Sequence, residues 1–335
     1  MRRWVAVLTV LGVLAVPSIT GGTAVRSAQP VLAYAFNVGS KDVTIINTAT
    51  NVRIASKRLG AAVKWLSNEQ DFFDGRLVWT YEDLPDGTVD VIAIDLPKVQ
   101  VARRVRAGKG PAHSVVLTPD RRQAIVNLAG DDKLMAVDTR TGTIVKELSV
   151  GKFPCDLDRT ADGRFAYFPE RDQDTVAMMD LTTFQVVKRV SMGEGTRPHM
   201  LRVSPDGRFV WVQNARANTN VILDARTLDQ VAVLPVGRAP VTNAFTPDGH
   251  LSYISHFADN FISVVDTRTF KEINRIRVAE GLTVIAFRPD GKFAYVAATG
   301  VNGVGVIDAD RQKLLKLIPA GTQPWGLIVA PTRGK

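Results

Sequence analysis

Short runs of alternating apolar and polar residues, separated by turn-forming residues, fill the chain from residue 31 to the end. Four segments align on this pattern: PCDLDRTADGRFAYFPE from 154, PHMLRVSPDGRFVWVQN from 198, PVTNAFTPDGHLSYISH from 240 and LTVIAFRPDGKFAYVAA from 282. Each predicts two strands joined by a tight turn, because Asp-Gly supplies the positive-φ position that a hairpin needs. The alternation therefore predicts an all-β protein made of repeated hairpins.

A second motif follows each hairpin and consists of a strand, an Asp-x-x-Thr-type turn, another strand and a glycine, as in MAVDTRTGTIVKELSVG. The turn position is occupied by Asn47, Asp95, Asp138, Asp180, Asp224, Asp266 and Asp308. The spacings are 48, 43, 42, 44, 42 and 42 residues. Four strands at this period are typical of one β-propeller blade, so seven copies predict a seven-bladed propeller of four-stranded antiparallel blades.

The two ends of the repeat region predict how the ring closes. VLAYAFN, near residue 31, matches the second strand of a repeat, and TQPWGLIVAPTRGK at the C-terminus matches a first strand. The N- and C-terminal strands should therefore share one blade, which removes the exposed edges of an open array. We predict one domain over residues 31–335, with an irregular second blade where KWLSNEQDFFDGRLVWTYEDLPDG lacks the leading Gly-x-x-Pro.

The repeats resemble the YVTN-type propeller family on segments such as FAYVAATGVNGVGVID and ISVVDTRTF, and the resemblance spans about residue 31 to the end. It implies the propeller fold. It implies no single function, because this family and its relatives include binding proteins, lactonase-like and lyase-like enzymes, and the haem-binding propeller domain of nitrite reductases.

The first residues predict an exported protein. Residues 1–24 combine two arginines, a short apolar run and a small-residue end, which is the pattern of a secretory signal peptide, with cleavage as late as residue 28. We expect a secreted or periplasmic monomer with no stable membrane span after cleavage. The single cysteine excludes an internal disulfide. The net charge of +9 is scattered, which permits contact with anionic polymers but does not indicate nucleic-acid binding.

Candidate chemistry lies at one position of the inner strand, the strand that lines the central channel. Seven residues before each turn aspartate, the sequence places His113, Cys155 and His199 in three consecutive repeats. The other repeats place Val241, Thr283 and Trp325 there, and the irregular second blade would place Ser67 there. Two of the four histidines and the only cysteine are thus predicted to face one channel mouth, and the residues that follow them should face away from the channel or towards neighbouring blades.

The second strand of each blade ends at the same face and adds further polar candidates. They are Asn127, Glu170, Arg171, Asn214 and His256. Loops and polar side chains at this face make it the predicted binding site for an unidentified small molecule or protein partner. The repeated Asp-Gly and Asp-x-x-Thr residues, in contrast, are predicted to form turns, and the second-strand aromatic residues to pack between blades.

The sequence leaves three interpretations of the histidine–cysteine position open. The side chains line a water-filled channel, form a small-molecule or catalytic pocket, or bind a metal ion or haem. A thiolate and two imidazoles suit copper, zinc or haem iron, but ligands of one metal must lie within about 4 Å of one another. The first functional hypothesis is a binding scaffold without chemistry of its own. The alternative is an enzyme or redox protein that uses His113, Cys155 and His199.

Overall fold

A computed structural model describes residues 31–65 and 76–331. It contains seven antiparallel sheets that form the blades of a β-propeller, as predicted. Six blades have four strands. The second blade has three strands in the described part of the chain, and its predicted inner strand with Ser67 falls on residues 66–75, outside the described residues.

The strands are numbered β1–β27 in chain order, and the strands of each blade run from the innermost to the outermost in the following order. Blades one to three comprise β27 (Pro324–Pro331), β1 (Val31–Asn37), β2 (Asp42–Asn47) and β3 (Val52–Arg58); β4 (Leu77–Asp83), β5 (Thr88–Asp95) and β6 (Gln100–Lys109); and β7 (Ala112–Leu117), β8 (Gln123–Leu128), β9 (Lys133–Asp138) and β10 (Ile144–Ser149). Blades four and five comprise β11 (Asp158–Arg159), β12 (Phe165–Glu170), β13 (Thr175–Asp180) and β14 (Gln185–Ser191); and β15 (Pro198–Val203), β16 (Phe209–Asn214), β17 (Thr219–Asp224) and β18 (Gln230–Pro235). Blades six and seven comprise β19 (Pro240–Phe245), β20 (Leu251–His256), β21 (Phe261–Asp266) and β22 (Lys271–Arg277); and β23 (Leu282–Phe287), β24 (Phe293–Ala298), β25 (Gly303–Asp308) and β26 (Lys313–Pro319). Two 3₁₀ turns follow β12 and β24, at Arg171–Gln173 and Thr299–Val301.

Burial along the strands follows from the stacking of neighbouring blades. The second and third strands of a blade, such as β12 and β13, are buried over nearly all of their length because adjacent blades cover both faces. Outer strands such as β14 leave most of their residues exposed to solvent. The core is therefore a set of inter-blade layers arranged around the channel.

The ring closes between the two ends of the described chain, as predicted. Strand β27 pairs antiparallel with β1, from Val31 opposite Pro331 to Asn37 opposite Pro324. The C-terminal strand thereby becomes the innermost strand of the first blade. This pairing joins the beginning and the end of the propeller through backbone hydrogen bonds, and the first blade has the same four-stranded order as its neighbours.

The recurring aspartates form turns, as predicted. In the fourth blade, Asp162 accepts hydrogen bonds from the Thr160 hydroxyl at 2.5 Å and from the Arg164 N–H at 3.0 Å. In the second motif, Asp180 accepts from the N–H groups of Thr182 and Thr183. These hydrogen bonds lower the pKa of both carboxyl groups. The repeated carboxylates therefore stabilise hairpins.

The second-strand aromatic residues pack between blades, also as predicted. The Tyr167 hydroxyl donates to the Ala225 carbonyl of the next blade at 2.6 Å, and the Tyr253 hydroxyl donates to Ala309 at 3.3 Å. Trp79, Trp211 and the two tyrosines are among the largest fully buried side chains. These residues serve the propeller core.

Glycine in the Asp-Gly turns gives a direct test of this architecture. Gly163 and Gly207 both have positive φ, but a Cβ atom on Gly163 would lie 2.1 Å from Pro119 Cγ, whereas Gly207 has nothing within 4 Å. We expect Gly207→Ala to cost about 1–2 kcal/mol for the left-handed backbone. Gly163→Ala should cost about 1–3 kcal/mol more, because a proline ring cannot move aside. Urea unfolding of both variants measures the difference, and equal losses would contradict the predicted clash.

The predicted signal peptide, residues 1–24 with cleavage as late as residue 28, lies outside the described residues. Within residues 31–65 and 76–331, no helix has the length and hydropathy of a membrane span.

Candidate functional site

A one-residue β-bulge recurs in the inner strands and positions the candidate side chains. In the third blade Ala112 pairs with Leu128 and Ser114 with Asn127, so His113 is the extra residue. The same register shift occurs at His199 in β15 and at Trp325 in β27. A β-bulge redirects the side chain of its extra residue, and bulges in general are over-represented next to functional sites. The position predicted by counting back from the turn is thus structurally equivalent in different blades.

A second repeated feature precedes the candidate position in four blades, although not at His113. Two residues before the candidate position, the backbone is left-handed at Phe153, Arg197, Ala239 and Gln323. The N–H of each of these residues donates to a side-chain oxygen from the preceding blade, on Asp132, Asp174, Asn218 and Asn302 respectively. These acceptors were not predicted from the sequence. A signal for them was present in the sequence, because each is an Asp or Asn one residue before the third strand of its blade.

The structure brings His113, Cys155 and His199 together. One donor atom from each residue lies within 4.8 Å of those of the other two. The imidazole ring centroids of His113 and His199 are 5.6 Å apart, with the ring planes at 86°. Cys155 is fully buried, and its N–H donates to the Pro169 carbonyl at 2.9 Å. We call these three residues the His–Cys–His cluster.

Cys155 is fully buried and His113 and His199 are half-buried, and the resulting loss of solvation determines the protonation of the cluster. Desolvation lowers the pKa of His199 to about 4, and the positive charge of Arg171 contributes in the same direction. Desolvation also lowers the pKa of His113 well below its ordinary value, with contributions from His199, Arg171 and Lys64. Both imidazoles are therefore neutral near pH 7, which is the form that binds metals. Burial raises the pKa of the Cys155 thiol, so the free thiol is protonated.

One imidazole nitrogen in the cluster is left without a partner. Nδ1 of His113 is buried and has no hydrogen bond within the described part of the chain. A buried polar atom normally has a partner, and an exception in a folded protein calls for an explanation such as a bound water or ion. The His113 ring instead packs edge-on against Phe153, with centroids 5.4 Å apart.

Aromatic side chains surround the cluster. Trp65 packs edge-on against His199 and against Trp325, with ring centroids 6.0 and 5.5 Å apart. Phe257 extends this group and lies 5.7 Å from Trp325. Trp325 was predicted at the mouth, whereas Trp65, Phe153 and Phe257 were missed, since Trp65 belongs to the irregular second blade and the two phenylalanines lie in loops.

Positive charge lies beside the aromatic residues. The Arg171 guanidinium carbon lies 3.4 Å from the centroid of Phe153, and Arg171 shares Asp172 with Arg197. Arg171 and Arg197 both act on the pKa values of Cys155 and His199. Two guanidinium groups thus share one carboxylate beside the cluster, and a second carboxylate, that of Asp174, accepts the Arg197 backbone N–H. Arg171, which the sequence predicted, thus lies beside the cluster. Arg197, which the sequence did not predict, lies there as well.

The remaining predicted second-strand residues make contacts elsewhere. Glu170 is fully buried and accepts hydrogen bonds from the Gly151 N–H, the Thr175 hydroxyl and the Arg189 guanidinium. His256 accepts from the Gly237 N–H through Nε2, and its Nδ1 lies 3.1 Å from the Phe261 carbonyl oxygen.

Two further second-strand side chains bind strands, one within its own blade and one also across to the next blade. Asn214 donates to Thr219 in its own blade, and Asn127 bonds the Ser114 N–H and the Asp156 carbonyl. The structure therefore places these four residues, Asn127, Glu170, Asn214 and His256, as anchors of loops and strands, and does not join them to the His–Cys–His cluster.

The residues that follow the cluster positions face neighbouring blades, as strand alternation predicted. The Ser114 hydroxyl donates to the Leu157 carbonyl of the fourth blade at 3.4 Å. Asp156 accepts from the Leu201 N–H and from Arg202 of the fifth blade. Met200 is fully buried in the hydrophobic core. These contacts support the bulges from the side opposite to the channel.

The donor set is compatible with one metal ion. Nitrogen and sulfur ligands of a single zinc or copper ion are about 3.3–3.9 Å apart for metal bonds of about 2.0–2.3 Å. The upper limit of 4.8 Å in the cluster exceeds this by about 1 Å, which rotation of the side chains can close. Among the described residues, this group has three members and no carboxylate joins it.

The fold, the repeat and the bulged inner strands define a seven-bladed β-propeller protein. The chain belongs to the family of YNCE-like β-propellers, whose family model matches residues 86–280, more than half of its length.

Individual proteins similar to this chain include one sequence relative and two solved structures. Dihydro-heme d1 dehydrogenase of Pseudomonas aeruginosa is 45% identical over 78 residues, which is 23% of this chain and 15% of that enzyme. The match therefore spans well under two thirds of the relative's length. A protein of unknown function from Desulfotomaculum acetoxidans has a TM-score of 0.71 at 14% identity, covering 90% of this chain and 99% of its own. Hydrazine synthase of Kuenenia stuttgartiensis has a TM-score of 0.68 at 19% identity, covering 81% and 92%. At these identities, the two solved structures show the common fold alone.

Proposed function

We propose that this protein is an exported β-propeller that binds a transition-metal ion at its channel mouth through His113, Cys155 and His199. The observation that carries the proposal is that donor atoms of these residues, from three successive blades, lie within 4.8 Å of one another. The predicted signal peptide supports the location. The activity proposed is binding, and the loops around the mouth are the proposed contact surface for a small molecule or protein partner.

The chemistry of the donors supports a transition metal over a hard cation. Neutral imidazoles and a thiolate are ligands for zinc, copper and iron, whereas calcium and magnesium prefer oxygen. When the metal–sulfur bond forms, the Cys155 thiol gives its proton to solvent and the thiolate provides the electron pair. The unpartnered Nδ1 of His113 is available as a donor to such an ion.

A haem-type tetrapyrrole is a second candidate, which the match to dihydro-heme d1 dehydrogenase and the aromatic residues at the mouth favour. Trp65, Trp325 and Phe257 would pack against the macrocycle, Arg171 and Arg197 would pair with its carboxylates, and His113 or His199 would hold the iron. Such a group would supply redox or ligand-binding chemistry. The close spacing of three donors favours a single ion over a macrocycle.

One loading experiment tests both candidates. We expect the full chain, incubated anaerobically with excess Co²⁺ and passed through a desalting column, to retain one metal per chain with a thiolate-to-metal charge-transfer band. A parallel sample with haem reports macrocycle binding through its Soret absorption. Haem retention without cobalt retention would replace the metal proposal by the second candidate. Retention of neither would reject both, since circular dichroism would confirm that the samples are folded.

A further inference from the structure

We infer that the His–Cys–His cluster selects monovalent copper, Cu⁺, over divalent zinc. The inference rests on the proposed metal-binding function and specifies the ion. Three features of the site support Cu⁺: the number of donors, the charge beside them and the aromatic side chains around them.

The number of donors favours Cu⁺. The cluster provides one sulfur and two nitrogen donors, and no Asp or Glu of the described chain joins it. With three protein donors, zinc needs a water as its fourth ligand and copper(II) needs an axial ligand or a tetragonal set, whereas a soft thiolate donor suits Cu⁺ in low coordination. Met200 follows His199 directly, but it lies in the hydrophobic core, so it does not supply a methionine ligand of the kind found in electron-transfer copper sites.

The charge balance of the site also favours Cu⁺. One thiolate with two neutral imidazoles neutralises a monovalent ion, whereas zinc leaves one uncompensated positive charge in a partly buried site. That extra charge would face Arg171 and Arg197, which share the single carboxylate of Asp172. Of the other charges, Lys64 lies 3.7 Å from Asp83 and Asp156 binds Arg202. The Asp174 carboxylate accepts the Gly195 and Arg197 N–H groups and is not among the charges that shift the pKa values of Cys155 and His199. The surroundings therefore penalise a divalent ion more than a monovalent one.

The aromatic side chains provide an environment for a soft cation. Trp65 is only 6% exposed and packs against His199, while Trp325 packs against Trp65. Indole faces attract cations, and apolar walls limit access of water to the ion. The equivalent inner-strand positions of the sixth and seventh blades carry Val241 and Thr283, which offer neither soft donors nor indole rings.

Competition with chelators tests the selectivity. We expect anaerobic titration against bathocuproine disulfonate to give one Cu⁺ per chain, with X-ray absorption reporting one sulfur and two nitrogen ligands. Zn²⁺, measured against a fluorescent zinc chelator, should bind at least about 100-fold more weakly. A charge variant gives a sharper test, because it should affect the two ions unequally. Arg197→Gln should strengthen Zn²⁺ binding by about 3–10-fold and change Cu⁺ binding by less than about 2-fold.

Arg122→Gln is the matched control, because the Arg122 side chain is 83% exposed in a turn remote from the cluster. It should change neither affinity. Zinc binding as tight as copper binding, or an equal response of both ions to Arg197→Gln, would overturn the selectivity and leave the metal site standing. Failure to retain any metal would overturn the proposed function as well.

Discussion

Cys155→Ser is expected to weaken metal binding by at least about 100-fold while the propeller stays folded. Loss of residues that only orient a metal ligand already costs about 10–100-fold in affinity, so loss of the sulfur ligand itself should cost more. Serine is close to cysteine in size. The hydrogen bond from the Cys155 backbone N–H to the Pro169 carbonyl does not involve the side chain and is kept. Chelator competition measures the affinity, and thermal unfolding monitored by circular dichroism measures the fold.

His113→Ala and His199→Ala should each weaken binding, because the remaining donors cannot complete a three-ligand site. The chain offers a matched histidine control. His250 is exposed in a hairpin turn of the sixth blade, so His250→Ala should leave metal affinity unchanged. If Cys155→Ser bound the ion as tightly as the natural chain, Cys155 would be a core residue and the ion would lie elsewhere.

Asp156→Ala is expected to reduce the free energy of unfolding by about 3–5 kcal/mol, because it breaks a buried ion pair. Asp156 is fully buried, the side chain of its partner Arg202 is only 5% exposed, and the nitrogen–oxygen distance is 2.6 Å. The same carboxylate accepts the Leu201 N–H at 3.0 Å, so the substitution also removes an acceptor from the inner strand of the fifth blade. Urea denaturation measures the loss.

Two variants separate the contributions to this loss. Asp156→Asn keeps the size and an oxygen acceptor but removes the charge, so its destabilisation should be smaller than that of Asp156→Ala. Glu147→Ala removes an exposed pair with Lys133, and surface pairs contribute only about 0–1 kcal/mol. Equal effects of Asp156→Ala and Glu147→Ala would mean that the buried pair does not hold the fourth and fifth blades together.

Most of the fold follows from local patterns. Asp-Gly turns, Asp-x-x-Thr turns and strand alternation are short-range features, so they predicted the hairpins, the repeat and the closure of β27 onto β1. The second blade was predicted least well, because its sequence departs from the repeat, and Trp65 was missed for the same reason.

The candidate site was partly predictable. Counting along the repeat identified His113, Cys155, His199 and Trp325 as equivalent positions, since each blade has the same path from turn to channel. It also suggested Glu170, Asn214 and His256, which end their strands at the predicted face. Their side chains instead bind turns and strands within their blades, which counting cannot reveal because a strand-end residue can point towards the loop or the channel.

The sequence by itself determined which residues occupy equivalent positions in the ring, because position within a blade depends on local turns and alternation. Only the tertiary structure decided that three of them lie within 4.8 Å. That distance depends on the closure of seven blades, on the bulges that redirect the inner-strand side chains and on the place of the three donors at the start of inner strands of successive blades. The charges of Arg171 and Arg197 reach the same place through loops from different blades, so their effect on the cluster is likewise a property of the closed ring.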